Sequence, residues 1–201
     1  MQLFPFLFAF QTKKDAAPAK AAASAFSGPV PDAIAAIEKS GGSVRPIIRN
    51  DDRREVSFYL RGAAIKDADI APVAKLPKVA YLQLGSTSVT DAGLVYLKGL
   101  TDLEQLHLEG TRITDKGLVY LKDLKKLTYL NLYNTAVTDA GLAQLAGLVN
   151  LKELYLWQTK VTDEGVKKLK QALPNLDINR GWEPEAKPPA KSEPKDDKKS
   201  K

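Results

Sequence analysis

The sequence predicts an α/β fold organised as a solenoid, a coil of stacked strand–loop–helix units. The main observation is a segment of 24 residues that recurs through the middle of the chain, starting at Leu76, Leu100, Leu124 and Leu148. Each copy has a short alternating apolar segment followed by apolar residues at helical spacing. One such unit cannot bury its apolar side alone, so tandem copies must stack on one another.

Composition excludes several classes of function. The chain has 201 residues, a net charge of +6 and no cysteine. Residues 183–201 contribute +1 (six Lys, five acids) and residues 1–27 contribute +2 (three Lys, one acid), which leaves about +3 for the body. Nucleic acid needs a clustered Lys/Arg stripe, so we expect no nucleic-acid partner. Without cysteine there is no disulfide, thiolate nucleophile, thiolate metal site or lipoprotein anchor.

Residues 1–27 are predicted to be an apolar leader followed by an Ala/Lys-rich linker. The run "LFPFLFAF" is too short to span a membrane and resembles the apolar region of a secretory signal. No Lys or Arg precedes the run and basic residues follow it, so an uncleaved extension is the alternative. This interpretation favours a periplasmic or extracellular location over a cytoplasmic one. Small-residue cleavage options lie near Ala19, Ala23 and Ala25.

Both ends of the repeat array carry segments that differ from the repeat. From Pro31, "PDAIAAIEKSGG" predicts a short helix, and "SVRPIIRN" and "REVSFYL" predict strands. We expect residues 28–51 to form an N-terminal cap, and residues 52–179 to hold one degenerate, four complete and one truncated repeat. Trp182 is expected to fold back over the last strand. Residues 180–201, rich in Pro, Lys and Glu, are predicted to be a disordered tail.

Within one copy, Leu103, Leu106 and Leu108 show the spacing of a short strand whose alternate side chains face one side. The motif T-x-[VI]-T-D follows, then Gly-Leu and a second apolar pair at helical spacing. A degenerate copy from about Asp52 places Phe58 and Leu60 in step with the strand leucines of the complete copies.

This pattern resembles the leucine-rich-repeat family, in the bacterial subtype whose repeat ends in "[VI]TDxGLxxL". The resemblance implies a curved right-handed coil with a parallel sheet on its concave face and short helices on its convex face. Proteins of this family are generally scaffolds that hold peptides, proteins or glycans on that sheet. Because Thr has no amide, the inner hydrogen-bond ladder that the family builds from Asn should be thinner here. Thr replaces the usual Asn or Cys at Thr87, Thr111, Thr135 and Thr159.

The constant polar residues of the repeat are interpreted as structural. An Asp preceded by Thr opens each helix, where a carboxylate can accept backbone N–H bonds and meet the positive helix end. Recurrence in every unit favours helix capping over metal or acid–base chemistry. A Gly that is kept near each helix start predicts close backbone approach. The predicted caps are Asp91, Asp115, Asp139 and Asp163.

The variable strand positions form the candidate binding surface. Aromatic side chains with polar tips suit interfaces, and they are densest toward the C-terminal repeats. The alternative is that Tyr and Trp are present because they suit strands. In order along the array, the predicted columns are Ser57, Tyr81, Gln105, Tyr129 and Glu153; Tyr59, Gln83, His107, Asn131 and Tyr155; and Arg61, Gly85, Glu109, Tyr133 and Trp157.

Three hypotheses about function follow. In the first, a monomeric, non-catalytic scaffold binds a protein or peptide with four anchors (Tyr129, Tyr133, Tyr155, Trp157) and four polar selectors (His107, Glu109, Asn131, Glu153). In the second, an exported envelope or matrix protein, which could bind a glycan, is tethered by its basic tail. An enzymatic role has no supporting motif, and one His beside one Glu is a poor metal site, so no metal or cofactor is expected.

Overall fold

The computed structural model describes residues 29–48 and 52–181, and these form one seven-stranded sheet whose strands follow chain order. The first strand pairs antiparallel with the second, and every later pair of neighbours is parallel. The predicted α/β solenoid is therefore confirmed. The strands are β1 (Ser43–Pro46), β2 (Arg54–Ser57), β3 (Val79–Gln83), β4 (Gln105–His107), β5 (Tyr129–Asn131), β6 (Glu153–Tyr155) and β7 (Asp177–Asn179).

Short helices form the second layer. The α-helices are α1 (Pro29–Lys39), α2 (Asp67–Ile70), α3 (Asp115–Leu118), α4 (Asp139–Leu145) and α5 (Asp163–Ala172). Turns of 3-10 helix cover Tyr59–Ala64, Ala71–Lys75, Gly93–Leu97 and Val119–Leu121. The layer lengthens toward the C-terminus because β-branched and aromatic residues of "GLVYL" favour helix less than "GLAQL" does. No helix within the described ranges is both long and apolar enough to cross a bilayer.

The core is a single leucine stack that runs the length of the array. The strand leucines Leu106 and Leu108 and the helix leucines Leu118 and Leu121 are all fully buried. The other complete repeats add equivalent sets, except that the last has the partly buried Val166 in place of Leu118. At the N-terminal end, α1 inserts Ala33 and Ile37 into the same cluster. The predicted leader and residues 182–201 of the predicted tail, which include Trp182, lie outside the described residues.

The predicted register of the degenerate repeat was wrong by two residues. Val56, not Phe58, pairs with Leu82. Phe58 takes the next inward position, where its N–H donates to the carbonyl of Gln83, and Leu60 is 88% exposed. The cause is the 3-10 turn at Tyr59–Ala64, which makes the connection to the following repeat segment two residues longer than in the complete copies.

The shifted register changes which residues of β2 face outward. Glu55 pairs with Tyr81 and Ser57 with Gln83, so these two take the places predicted for Ser57 and Tyr59. Arg61 does not continue the third column. Its side chain instead packs against Gly41, where an added Cβ would collide with it.

The predicted role of the repeated Asp residues as helix caps was also wrong. The side-chain cap is the preceding Thr: the hydroxyls of Thr114, Thr138 and Thr162 each accept an N–H bond from the first turn of α3, α4 and α5. A β-region Thr immediately before a helix has the geometry that capping needs, and its hydroxyl is short enough to reach back. The Asp carboxylate is thereby left to bond elsewhere.

Each Asp reaches across to the next repeat. Asp91 Oδ1 accepts the backbone N–H of Thr114 at 2.8 Å, and its Oδ2 accepts the Thr114 hydroxyl at 2.6 Å. The same two bonds, between 2.6 and 2.8 Å, join three further pairs. We call this contact the Asp–Thr clamp, and its other members are Asp67–Thr90, Asp115–Thr138 and Asp139–Thr162.

The clamp explains the repeated glycine. A Cβ added to Gly117 would lie 2.5 Å from Asp91 Oδ1, and one added to Gly93 would lie 2.5 Å from Asp67 Oδ1. Real side chains do not tolerate that distance. The close approach expected at these glycines is therefore that of the carboxylate of the preceding repeat.

The inner Thr positions serve their own repeat. The Thr87 hydroxyl donates to the Leu84 carbonyl at 2.7 Å, and the Thr111 hydroxyl donates to the Leu108 carbonyl at 2.5 Å. Neighbouring repeats are joined at this level by main-chain bonds, such as the one from the Arg112 N–H to the Val89 carbonyl. One hydroxyl donor suffices to satisfy a local carbonyl, and the backbone carries the contact between repeats.

Removing a clamp from the middle of the array should weaken the fold more than removing the equivalent Asp at its end. We expect Asp115→Ala to lower the free energy of unfolding by about 2 kcal/mol, because two bonds to a charged acceptor are lost. Asp163→Ala should cost under about 1 kcal/mol, because Asp163 has no following clamp Thr and forms an exposed ion pair with Arg180. Urea unfolding followed by far-UV circular dichroism measures both. Equal losses would indicate the capping role instead.

Acid should weaken the clamp. The hydroxyl and the N–H of Thr162 lower the pKa of Asp139. A depressed folded-state pKa contributes stability above the unfolded value of about 3.9, and this is lost as the pH falls through the folded pKa. Below about pH 4, we expect the urea concentration at the unfolding midpoint to decrease. Asp139→Asn and Thr162→Val should each make that fall shallower, and a fall as steep as in the wild type would contradict this origin.

Candidate functional site

The ten predicted binding residues all lie on the outward face of the parallel sheet, alternating with buried leucines. We call this surface the concave face and define it by three columns. The corrected columns are Glu55, Tyr81, Gln105, Tyr129, Glu153 and Asp177; Ser57, Gln83, His107, Asn131, Tyr155 and Asn179; and Gly85, Glu109, Tyr133 and Trp157.

Three rings form a continuous strip that crosses β4, β5 and β6. The ring centroids of His107 and Tyr129 are 4.7 Å apart, and those of Tyr129 and Tyr155 are 5.2 Å apart. These are contact distances for tilted aromatic pairs. The rings alternate between the second and first columns, so the strip follows a zigzag path across the three strands. We call it the aromatic strip.

A second aromatic contact lies in the third column. Tyr133 and Trp157 stack with centroids 5.1 Å apart and ring planes at 24°. The free side of the indole is partly covered by Gly181, whose backbone comes so close that an added Cβ would collide with the ring. Trp157 nevertheless remains 51% exposed. A half-exposed indole held in a fixed orientation is an accessible contact for a partner.

Glu109 has an unusual position between the columns. Its side chain lies over Gly85, where any Cβ would collide with the carboxylate. Its Oε2 is buried without a hydrogen-bond partner, 3.6 Å from His107 Nδ1. That distance is longer than a hydrogen bond. The carboxylate is therefore held in place by packing and retains an unused acceptor.

Nearby carboxylates contribute to raised pKa values of the two phenols in the aromatic strip. Burial raises the pKa of Tyr129, with further contributions from Tyr155, Glu109 and Glu153. The bond from the Tyr155 hydroxyl to Glu153 Oε2, at 3.2 Å, raises the pKa of Tyr155. Glu109, which follows β4, and Glu153, on β6, therefore act on the Tyr129 phenol from the two sides of β5.

Asn131 was predicted to select a ligand, but its amide oxygen bonds to the backbone instead. Its Oδ1 accepts the backbone N–H of Tyr133 at 3.0 Å, so the amide oxygen is engaged in fixing the strand end. Asn179 makes the same contact with the Gly181 N–H at 2.8 Å. These amides hold the backbone that carries the third column. A side-chain hydrogen bond from Asn131 also acts on the Tyr129 phenol and opposes the rise in its pKa.

A shallow hollow lies at the N-terminal side of the concave face. It has a volume of about 240 Å³ and is lined by Tyr81, Gln105 and His107 together with three residues that the sequence did not single out as a site. Ligand pockets for small molecules usually measure about 300–1,000 Å³, so this hollow suits one side chain of a partner. The additional lining residues are Ile47, Glu55 and Gln83.

Sequence patterns indicated these three residues only in part. Gln83 was in the predicted second column, whereas Glu55 was missed because the register of β2 was placed two residues too late. Ile47 follows β1, and its contribution depends on the β1–β2 hairpin that brings it beside β3. Within residues 29–48 and 52–181, no three His, Cys, Asp or Glu side chains converge as metal ligands would.

Comparison with known proteins agrees with this architecture. A family model described as leucine-rich repeat matches residues 99–122, which is one 24-residue unit of the array. The class of protein defined by the matched unit, its tandem copies and the parallel sheet is the leucine-rich-repeat solenoid. No curated protein sequence matches the chain.

Several solved structures resemble the chain. The internalin InlF from Listeria monocytogenes is 26% identical with a TM-score of 0.49, and the match covers 57% of this chain and 32% of that one. Internalin C2 from the same species is 26% identical with a TM-score of 0.42, covering 54% of each chain. A leucine-rich-repeat protein from Leptospira interrogans is 24% identical with a TM-score of 0.40, covering 54% and 33%. The matched region is thus at most about half of each of these chains.

The coupling inside the aromatic strip can be tested by titration. In Glu153→Gln the pKa of Tyr155 should fall toward its ordinary value, because the neutral phenol no longer donates to a carboxylate. NMR of protein labelled at the tyrosine Cζ reports each phenol separately. Glu55→Gln is the control: it lies four strands, or about 19 Å, from Glu153 and should leave Tyr155 unchanged. An unchanged Tyr155 in Glu153→Gln would contradict the contact.

Proposed function

We propose that this protein is a non-catalytic binding module whose concave face captures a segment of another protein or a peptide. The observation that supports this most directly is the pair of ordered aromatic groups on one face: the aromatic strip (His107, Tyr129, Tyr155) and the Tyr133–Trp157 stack. Leucine-rich-repeat proteins are generally binding scaffolds, which is consistent with the proposal.

Strand propensity alone accounts less well for this surface. Cross-strand aromatic pairs stabilise a sheet by contacting each other, and such pairs are present here. Their exposure needs a separate explanation, because Trp157 is half exposed at the end of the third column and gains little from burial there. Rigid, partly exposed Tyr and Trp side chains offer a partner large contact area at little cost in rotamer entropy.

The dimensions of the concave face limit the kind of partner. Seven strands at about 4.8 Å give a width of about 30 Å, and three outward residues per strand span about 14 Å. The resulting area of about 400 Å² is roughly half of what each partner contributes to a standard protein–protein interface. A peptide or an extended loop lying across the strands fits this area, whereas a globular partner would also have to contact the rims.

Each aromatic group has a distinct role in this proposal. The Tyr133–Trp157 stack anchors one end of the segment, and the aromatic strip supports its middle. The hollow beside Tyr81 and Gln105 accepts a side chain near the other end. These three places lie along the array in that order, from the C-terminal to the N-terminal repeats.

The proposal predicts loss of capture when the anchors are removed. We expect the triple variant Tyr133→Ala/Tyr155→Ala/Trp157→Ala to retain no partner in affinity capture from the native source, read by mass spectrometry. Its far-UV circular dichroism should stay unchanged, because the leucine core is intact. The double variant Val95→Ala/Val119→Ala removes exposed apolar groups of the helical layer, outside the concave face, and should capture as the wild type does.

The outcomes separate the alternatives. Capture that survives in the triple variant would show that the partner uses another surface, and the proposal would then be wrong. Captured material that glycosidase treatment releases would show that the face reads glycans, whose sugar rings also stack on aromatic side chains.

A further inference from the structure

The charge of the concave face is opposite to that of the chain. Although the protein carries a net charge of +6, the three columns contain four carboxylates and no Lys or Arg. Arg53 precedes β2 and Arg180 follows β7, and they form ion pairs with Glu104 and Asp163. Arg45 of β1 is paired with Glu55 at the N-terminal edge of the face. The carboxylates of the concave face are Glu55, Glu109, Glu153 and Asp177.

The acidic and aromatic groups are interleaved. Tyr129 lies between His107 and Tyr155 in the aromatic strip, and both Glu109 and Glu153 act electrostatically on its phenol. Glu109 has a buried oxygen with no hydrogen-bond donor. The site therefore combines π-faces with two carboxylates, one on each side of β5, within one small area.

This combination favours one kind of side chain. A guanidinium or ammonium group gains from a carboxylate and from the face of a Tyr ring together. A carboxylate or phosphate group would be repelled by the same residues. A purely apolar side chain would gain nothing from the two carboxylates.

We propose that the segment captured by the concave face is basic, and that it inserts an Arg or Lys side chain between Glu109, Tyr129 and Glu153. This inference rests on the proposed function, since it names the chemistry of the partner at the same site. The planar guanidinium of Arg fits best, because it can stack on a phenol ring while donating to a carboxylate at its edge. The opposite charges would also speed encounter with a basic partner.

The test uses three labelled peptides of equal length and equal aromatic content, which are rich in Arg, in Gln or in Glu. Binding to the full chain is measured by fluorescence anisotropy at physiological ionic strength. We expect the Arg peptide to bind most tightly and the Glu peptide least. Raising the salt concentration should weaken only the Arg peptide appreciably.

Charge-removing variants locate the effect. Glu109→Gln and Glu153→Gln should each weaken binding of the Arg peptide about two- to fivefold, and the Gln peptide should be unaffected. Glu164→Gln is the matched control, because Glu164 pairs with Lys168 on α5 and its change in charge is the same. Gln is nearly isosteric with Glu, and an unchanged thermal midpoint confirms that each variant is folded.

Two results would overturn the inference while leaving the proposed function intact. One is that all three peptides bind the wild type equally and that none of them binds the aromatic triple variant. The other is no binding of any peptide while partner capture continues to require the aromatic residues. If Glu164→Gln weakened binding of the Arg peptide as much as Glu109→Gln does, general charge attraction would explain the binding. The proposed insertion site would then be wrong.

Discussion

Each repeat of this protein is completed by the next one, and the Asp–Thr clamp is the contact in which this dependence is clearest. The carboxylate of one unit accepts the N–H and the hydroxyl of the following unit, for example from Asp91 to Thr114. The same Thr caps its own helix, and the glycine beneath the carboxylate leaves room for it. Helix start, neighbour contact and backbone spacing are thus fixed together, and the strands are stacked in register as a consequence.

Regular stacking allows the concave face to act as a surface. Because Tyr81, Gln105, Tyr129 and Glu153 are paired in one register, residues from different repeats become neighbours at strand spacing. The aromatic strip and the acidic groups beside it exist only because of that alignment. The constant residues of the repeat build the frame, and the variable residues determine what it contacts. Stability and recognition are therefore carried by different positions of the same unit.

Much of the fold and of the candidate site followed from the sequence. The 24-residue period with its strand leucines predicted the stacked sheet, because one unit cannot bury its apolar side alone. Alternation within each strand predicted which side chains face outward in the four complete repeats. It failed in β2, where the 3-10 turn at Tyr59–Ala64 lengthens the connection. A two-residue shift keeps the alternation of apolar and polar residues, so the pattern could not reveal the error.

The sequence by itself determined the repeat, the core and the composition of the concave face, since these depend on local periodicity. Only the tertiary structure decided what each polar residue contacts. Asp91, Asp115 and Asp139 resemble helix caps in sequence, yet their partners lie 23 residues further along the chain. The contact of His107 with Tyr129 and the unpartnered oxygen of Glu109 likewise arise between strands. Contacts of this kind depend on distances across the stack, and sequence spacing within one repeat does not encode them.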